Sequence, residues 1–63
     1  MRQVKLKDVK KGEFIKRKPE ANTVFTRQEY DRTERKYQCD DWYDISRCIY
    51  LKGDTLVYVD FTF

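Results

Sequence analysis

Three aspartates form the part of the sequence best suited to metal chemistry. Asp40, Asp41 and Asp44 make a D-D-x-x-D run, and clustered carboxylates bind Mg²⁺ or Ca²⁺ when several oxygens converge. Neighbouring residues on a strand point to opposite faces, which separates the first two carboxylates. Capping of a helical turn and an ion pair with Arg27 explain the run without a metal. We therefore predict no metal and no cofactor. As a function for the run, an acidic patch that engages a basic protein partner is a better interpretation than a metal site.

The two cysteines, Cys39 and Cys48, allow two interpretations. On neighbouring strands they form a disulfide if the geometry permits it. In a reducing compartment they stay free and pack as small hydrophobic side chains, which is the interpretation we favour. No apolar run approaches the ~20 residues of a membrane span, and no apolar stretch follows Met1. We therefore expect a cytoplasmic protein that makes no membrane contact.

Missing residue types exclude most catalytic machinery. The chain has no His and its only Ser is Ser46, so it lacks a Ser-His-Asp triad, a Cys-His pair and imidazole metal ligands. Gly12 and Gly53 lie far apart, so there is no glycine-rich phosphate loop. Because candidates for a nucleophile and an acid–base pair are so few, we expect a binding module and not an enzyme.

Positive charge is concentrated at the start of the chain, although the net charge is only +3. Residues 1–18 hold eight Lys and Arg against two Asp and Glu, whereas residues 37–63 hold two against five. We predict that the basic region contacts nucleic-acid phosphates. The alternative is that these charges only keep a small domain in solution. The residues predicted to contact nucleic acid are Lys5, Lys7, Lys10, Lys11, Lys16, Arg17, Lys18, Arg32, Arg35 and Tyr37.

Aromatic side chains offer a second way to hold nucleic acid. Aromatics make up 16% of the chain, and rings on a sheet face beside cations can stack on unpaired bases. The best such surface in the sequence combines Tyr30, Tyr37 and Tyr43 with the basic residues of segment 27–36. The alternative is that most of these rings form the core of a small β domain.

The elements that must position these residues are β-strands. Alternating apolar and polar residues predict strands over 13–17, 23–30, 37–42, 47–52 and 55–60, with a shorter one over 4–6. Gly12 closes a turn over 8–12 in which it can take a positive φ. Pro19 marks a loop over 18–22. A capped helical turn is predicted near 41–46, with Ile45 packing inward.

The segments on either side of 32–35 predict a long hairpin. Placing Arg32-Thr33-Glu34-Arg35 at its tip produces two aromatic pairs and two pairs of opposite charge from one register, which supports that register. The predicted cross-strand pairs are Asp31 with Lys36, Tyr30 with Tyr37, Arg27 with Asp40, and Phe25 with Trp42.

A second hairpin is predicted around Gly53-Asp54, a two-residue turn signal. In the register that this turn implies, Leu51 is opposite Leu56, Ile49 is opposite Tyr58, and both faces of the strand pair are apolar. A chain of 63 residues has little material to cover the second face. We therefore predict an interface formed by Ile49, Leu51, Leu56 and Tyr58, which contacts another protein or a second copy in a homodimer. Curvature of the sheet is the alternative cover.

Together these patterns predict one domain over 1–63, built as a five-stranded antiparallel barrel or strongly bent sheet. The opening Val4-Lys5-Leu6-Lys7-Asp8-Val9-Lys10-Lys11-Gly12-Glu13-Phe14 resembles the strand, turn, glycine and strand at the entry of Src-homology-3-like (SH3-like) small barrels. The whole chain also resembles short, charged, aromatic-rich proteins of phages and mobile elements. Such proteins often bind nucleic acid or block a host protein. The resemblance therefore implies a nucleic-acid-binding module, or alternatively an inhibitor or adaptor of a host protein.

Overall fold

The computed structural model describes residues 1–44 and 46–62, and within them the chain is almost entirely β. Six strands are present, and a short 3₁₀ turn at Leu6–Asp8 follows the first of them. The strands are β1 (Arg2–Lys5), β2 (Phe14–Ile15), β3 (Phe25–Asp31), β4 (Lys36–Asp41), β5 (Cys48–Leu51) and β6 (Leu56–Val59). The predicted all-β class is confirmed.

The strands form two antiparallel sheets that meet at one corner. A four-stranded sheet has the order β2-β3-β4-β5, and β1 pairs with β6 in a two-stranded sheet. Lys16, just after β2, exchanges backbone hydrogen bonds of 3.0 and 2.8 Å with Tyr58 of β6. The larger sheet therefore curls into a half-barrel that the smaller sheet extends, which confirms the predicted strongly bent sheet.

The core lies inside this curl. Alternation along each strand sends every second side chain inward, and the inward set joins residues from the 3₁₀ turn and the following loop. The buried cluster consists of Leu6, Val9, Ile15, Phe25, Cys39, Val57 and Val59, and Val4, Tyr37, Ile49 and Leu51 pack against it. Removal of this apolar surface from water stabilises the fold.

The β3–β4 hairpin confirms the predicted tip and departs from the predicted register further down. Tyr30 pairs with Tyr37, as predicted. The Asp31 carboxylate accepts hydrogen bonds from the Thr33 and Glu34 amides at 2.9 and 3.2 Å, which closes the tip. Asp31 also pairs with Lys36, as predicted.

A register shift between Arg27 and Tyr30 changes the lower pairs of this hairpin. Arg27 is opposite Cys39 and not Asp40, and Phe25 is opposite Asp41 and not Trp42. The two lower predicted pairs are therefore wrong. The reason is that β3 contains one more residue than β4 in this stretch, which is a bulge.

The predicted hairpin of β5 and β6 is wrong. β5 pairs with β4 and β6 pairs with β1, so the two strands belong to different sheets. A turn is present at Gly53, as predicted, but its backbone bonds to the 3₁₀ turn and not across a hairpin. The Gly53 carbonyl accepts the Lys7 amide at 3.0 Å, and the Thr55 carbonyl accepts the Leu6 amide at 2.9 Å. These long-range bonds lead the chain into the second sheet, where both strands find cover for their apolar faces.

Two local predictions concern turns. Gly12 has φ of +88°, as predicted for the turn over 8–12. The predicted helical turn near 41–46 contains Ile45, which lies outside the described residues. The described residues beside it form bends and a turn, and the helical element of the described chain is the 3₁₀ turn at Leu6–Asp8. Leu6, predicted to end the first strand, begins that turn.

Candidate nucleic-acid interface

A cleft rich in positive charge lies at the base of the β3–β4 hairpin. It encloses about 330 Å³, and we call it the basal cleft. Its lining residues are Arg17, Lys18, Ala21, Thr23, Phe25 and Arg47. Phe25 is buried and forms the floor, whereas the three cations are exposed to solvent.

Two segments bring the three cations together. Lys16, which is hydrogen-bonded to β6, follows β2, and Arg17 and Lys18 come next. A turn begins at Lys18, whose carbonyl accepts the Ala21 amide at 3.1 Å. Arg47 comes from the far side of the cleft, just before β5. Its carbonyl accepts the Asp41 amide at 3.1 Å, which joins it to the end of β4.

The aspartate run builds the segment that carries Arg47. The Asp41 carboxylate accepts the Tyr43 amide at 2.9 Å. The Asp44 carboxylate accepts the Ser46 hydroxyl at 2.6 Å and the Ser46 amide at 3.1 Å, and these hydrogen bonds hold the pKa of Asp44 below its usual range. The Asp44 carbonyl in turn accepts the Arg47 amide at 3.0 Å. The run therefore shapes a turn.

Asp40, the first member of the run, precedes Asp41 on β4. The Asp40 carboxylate accepts a hydrogen bond of 2.9 Å from the side-chain Nε2 of Gln38. Across residues 1–44 and 46–62, no three His, Cys, Asp or Glu side chains converge in a way that would hold a metal ion.

The cations of the basal cleft are not neutralised by ion pairs with the described carboxylates. The described ion pairs engage other cations: Arg2 with Asp60 at 3.1 Å, Lys7 with Asp54 at 3.7 Å, and Lys11 with Glu29. One carboxylate interacts electrostatically with a cation of the cleft, because Arg47 makes a minor contribution to lowering the pKa of Asp44. The three cations of the basal cleft therefore have no direct ion pair among the described residues, and the Asp44 carboxylate is the negative charge that acts on Arg47.

A second cleft lies at the other end of the hairpin, where the tip meets the turn at Gly53. It encloses about 470 Å³, and we call it the tip cleft. Its lining residues are Lys7, Tyr30, Glu34, Arg35, Tyr37, Lys52, Gly53 and Asp54. Three of these residues are cations, but two are carboxylates, and one carboxylate is ion-paired with Lys7. The tip cleft is therefore mixed in charge.

The structure divides the predicted nucleic-acid contacts between these clefts and the remaining surface. Arg17 and Lys18 meet in the basal cleft, and Lys7, Arg35 and Tyr37 meet in the tip cleft. The other predicted contacts lie outside both clefts: Lys5, Lys10 and Arg32 are exposed, Lys11 is paired with Glu29, and Lys16 lies over the Phe61 ring with its Nζ 4.9 Å from the centroid.

Sequence reasoning missed Arg47 as a site residue. It lies in the acidic half of the chain, so the regional charge gave no signal for it. The useful local signal is its position directly after the Asp44–Ser46 turn. The pairing of β4 with β5 then carries this turn beside the start of β3.

The predicted aromatic surface is largely occupied by its own contacts. The Tyr30 and Tyr37 rings lie 4.8 Å apart, and the Arg27 guanidinium lies 4.3 Å from the centroid of the Tyr37 ring. Such a cation–π contact covers the face that a base would need. Of the three predicted tyrosines, Tyr43 is the most exposed, at 67%.

The predicted interface residues do not share one face. Ile49 and Leu51 point inward against the core. Leu56 is 51% exposed, and Tyr58 accepts a hydrogen bond of 3.2 Å from Gln3. They separate because β5 and β6 are not paired with each other.

The two cysteines are free thiols, and the sheet explains why. Cys39 is opposite Ile49, so it points to the same face as that residue, into the core. Cys48 precedes Ile49 and points to the opposite, exposed face. Burial raises the pKa of Cys39 to about 11, although Arg27 acts in the opposite direction.

Comparison with known proteins adds no relative. No protein-family description matches the chain, and no curated protein or solved structure shows a significant similarity to it. Within the described residues, no helix has the length and hydropathy needed to cross a membrane.

Proposed function

We propose that the protein is a small non-enzymatic module that binds nucleic acid through the basal cleft. The observation that supports this most directly is the meeting of Arg17, Lys18 and Arg47 without an ion pair to a described carboxylate. We place the module in the cytoplasm, where free thiols such as Cys39 and Cys48 stay reduced.

The physical basis is the repulsion among three cations around one cleft. A phosphate between them relieves this repulsion and accepts charge-assisted hydrogen bonds. Arg is well suited to this role because its planar guanidinium matches two phosphate oxygens at once. Each neutralised phosphate releases condensed counterions, so the affinity must fall steeply as salt rises.

The test is fluorescence anisotropy with a labelled mixed-sequence oligonucleotide of about 20 nucleotides, titrated between about 50 and 200 mM salt. The test variant carries Arg17→Ala, Lys18→Ala and Arg47→Ala. The matched control carries Arg2→Ala, Lys7→Ala and Lys11→Ala, which removes the same formal charge from cations that already have carboxylate partners.

We expect the cleft variant to lose affinity by on the order of a hundredfold at low salt, and its logarithmic salt slope to fall by about 3, because three phosphate contacts disappear. The control variant should lose much less. Equal losses in both variants would show that net charge alone drives binding, and no binding by the native protein would refute the proposed function.

A protein-interaction module is the second candidate, and the free edge of β5 favours it. This strand pairs only with β4 among the described strands, and it exposes Cys48 and Tyr50. An unpaired edge accepts an added strand from a second copy or another protein. Size-exclusion chromatography with light scattering tests the homodimer: a stable dimer that ignores the oligonucleotide and is lost in Tyr50→Lys, but not in Leu56→Lys, would favour this candidate.

A further inference from the structure

A short row of side chains runs along the outer face of β4. Cys39 and Asp41 are buried and point to the inner face of the sheet. Alternation along the strand therefore sends Lys36, Gln38 and Asp40 to the opposite face, where all three are partly exposed. We call these three residues the outer row, and its order is cation, amide, carboxylate.

The outer row is complementary to a second copy of itself. Two such strands, stacked face to face and antiparallel about a two-fold axis through Gln38, place Lys36 of each copy over Asp40 of the other. At the centre, the Gln38 amides face each other, and a side-chain amide both donates and accepts hydrogen bonds. One arrangement thus pairs every member of the row.

The charged ends of the outer row are free for this contact. Among the described ion pairs, none contains Lys36 or Asp40. Asp40 accepts a hydrogen bond from Gln38 at 2.9 Å, and a carboxylate can accept several more. The two charges are four residues apart on β4, about 13 Å, so they cannot pair within one chain.

The row also lies where two bent sheets would touch. β4 is an inner strand, between β3 and β5, so its outer face forms part of the ridge of the curled sheet. Aromatic side chains flank it: Tyr50, opposite Gln38, is 46% exposed, and Trp42, which follows β4, is 52% exposed. The Trp42 ring contacts Phe14, which the register places on this same face. Exposed Tyr and Trp are enriched at protein interfaces.

From this arrangement we infer that the protein forms a homodimer in which two β4 strands pack face to face through the outer row. This contact uses the face of the sheet and not the edge of β5. A bent sheet offers a small area, below the ~1,200 Å² of stable complexes, so the dimer is a weak one.

The dimer is compatible with ligand binding at the basal cleft. Phe25 forms the floor of that cleft and belongs to the core, on the inner face of the sheet. Both clefts of a dimer therefore stay open. The inference does not rest on the proposed function, because the outer row and the basal cleft share no residue.

The first experiment measures the molar mass by sedimentation velocity between about 10 µM and 1 mM, the range suited to a weak dimer. The native protein should dimerise in this range. Lys36→Asp and Asp40→Lys should each raise the dissociation constant at least about tenfold, because each places like charges opposite one another at both ends of the row. Lys10→Asp and Asp8→Lys make the same changes of net charge at exposed positions outside the row, and they should dimerise like the native protein.

The second experiment restores the contact. The double variant Lys36→Asp with Asp40→Lys should regain the dissociation constant of the native protein, because its row is reversed but still complementary. An equimolar mixture of the two single variants should form heterodimers. Since these charges are too far apart to pair within one chain, recovery reports a contact between copies. Circular dichroism checks that each variant is folded.

Three outcomes would overturn the inference: a native protein that is monomeric at 1 mM, a dimer that neither single reversal weakens, or no recovery in both the double variant and the mixture. A dimer that survives both reversals but is lost in Tyr50→Lys would lie at the edge of β5 instead. The proposed function is tested separately, by removal of the cations of the basal cleft, so either can fail without the other.

Discussion

The two clefts at opposite ends of the β3–β4 hairpin contain similar residue types but differ in electrostatic character. Each gathers three cations, and each has aromatic lining, Tyr30 and Tyr37 in the tip cleft and the buried Phe25 in the basal cleft. They are separated by roughly the length of a seven-residue strand, about 20 Å. In the tip cleft, carboxylates share the space with the cations. In the basal cleft, the lining contains no carboxylate.

The location of the carboxylates explains this difference. Asp54 lies in the tip cleft because the turn at Gly53 packs against the 3₁₀ turn. This packing places Oδ1 of Asp54 3.7 Å from Nζ of Lys7. Beside the basal cleft, Asp41 and Asp44 accept hydrogen bonds from Tyr43 and Ser46, so their oxygens shape the turn. The comparison teaches that two clefts with equal numbers of cations differ in charge balance when carboxylates line only one of them.

The aromatic rings follow the same rule. At the tip, Tyr37 is covered by the Arg27 guanidinium, whose buried Nε has no hydrogen-bond partner among the described residues. Just after β4, Trp42 touches Phe14 by an edge-to-face contact and remains half exposed. Rings near cations are therefore available to a ligand only where their own chain leaves them uncovered.

The largest expected effect is on the free energy of unfolding, from a substitution in the core that supports both clefts. Ile15 is completely buried on β2, in the core beneath the hairpin. Ile15→Ala should lower the free energy of unfolding by about 2–5 kcal/mol through lost burial and a cavity, which is a large part of the roughly 3–9 kcal/mol expected for a chain of this size. Urea denaturation followed by Trp42 fluorescence measures it. Leu56→Ala, at an exposed site, is the control, and an equal effect of both substitutions would contradict this account of the core.

The next effect concerns Cys39, which lies on β4 between the clefts. Its folded pKa is about 11 against an ordinary value of 9.0, so the folded chain keeps this proton when the unfolded chain has lost it. The free energy of unfolding should therefore fall as pH rises from about 9 to about 11. The thiolate fraction at pH 9 differs by about fiftyfold between two such pKa values.

Denaturation midpoints across this pH range, compared with those of Cys39→Ala, measure the contribution of this thiol. If the midpoints of the native protein and of Cys39→Ala changed with pH in the same way, the Cys39 thiol would not be responsible for the loss of stability. Exposed Cys48 supplies an internal control, because a thiol reagent should label it in the folded protein while Cys39 reacts only on unfolding.

A smaller effect should make the tip cleft more like the basal cleft. Asp54→Asn removes one carboxylate of the tip cleft and frees Lys7. We expect a new phosphate contact there, with affinity for the oligonucleotide up to about tenfold higher at low salt and a salt slope steeper by about 1. The matched control, Asp8→Asn, makes the same change of charge outside both clefts. Equal gains in the two variants would show that net charge is responsible.

The smallest effect lies outside both clefts and should separate stability from binding. Gly12 has φ of +88°, and a Cβ added there would meet no atom within 4 Å. Gly12→Ala should therefore cost about 1 kcal/mol through backbone strain alone, while the affinity for nucleic acid stays the same. Thermal denaturation and anisotropy together check this, and a loss of affinity at a temperature where the variant is folded would contradict it.

Much of the local structure was predictable from the residues. Alternation located most of the strands, Gly12 marked its turn, and the pairing of Tyr30 with Tyr37 followed from the charges and rings near the hairpin tip. Part of the candidate site followed too, because Arg17 and Lys18 are adjacent in a basic segment. These features depend on short-range geometry and turn chemistry, which neighbouring residues carry.

The tertiary structure alone decided which strands are partners and which charges remain unpaired. The turn at Gly53 reverses the chain, yet long-range bonds from Leu6 and Lys7 send β6 to a different sheet from β5. The pairing of β5 with β4 brings Arg47 from the acidic half of the chain to Arg17. Local sequence determines where a strand can form, but its partner is the segment that covers its apolar face, and that choice depends on the whole chain.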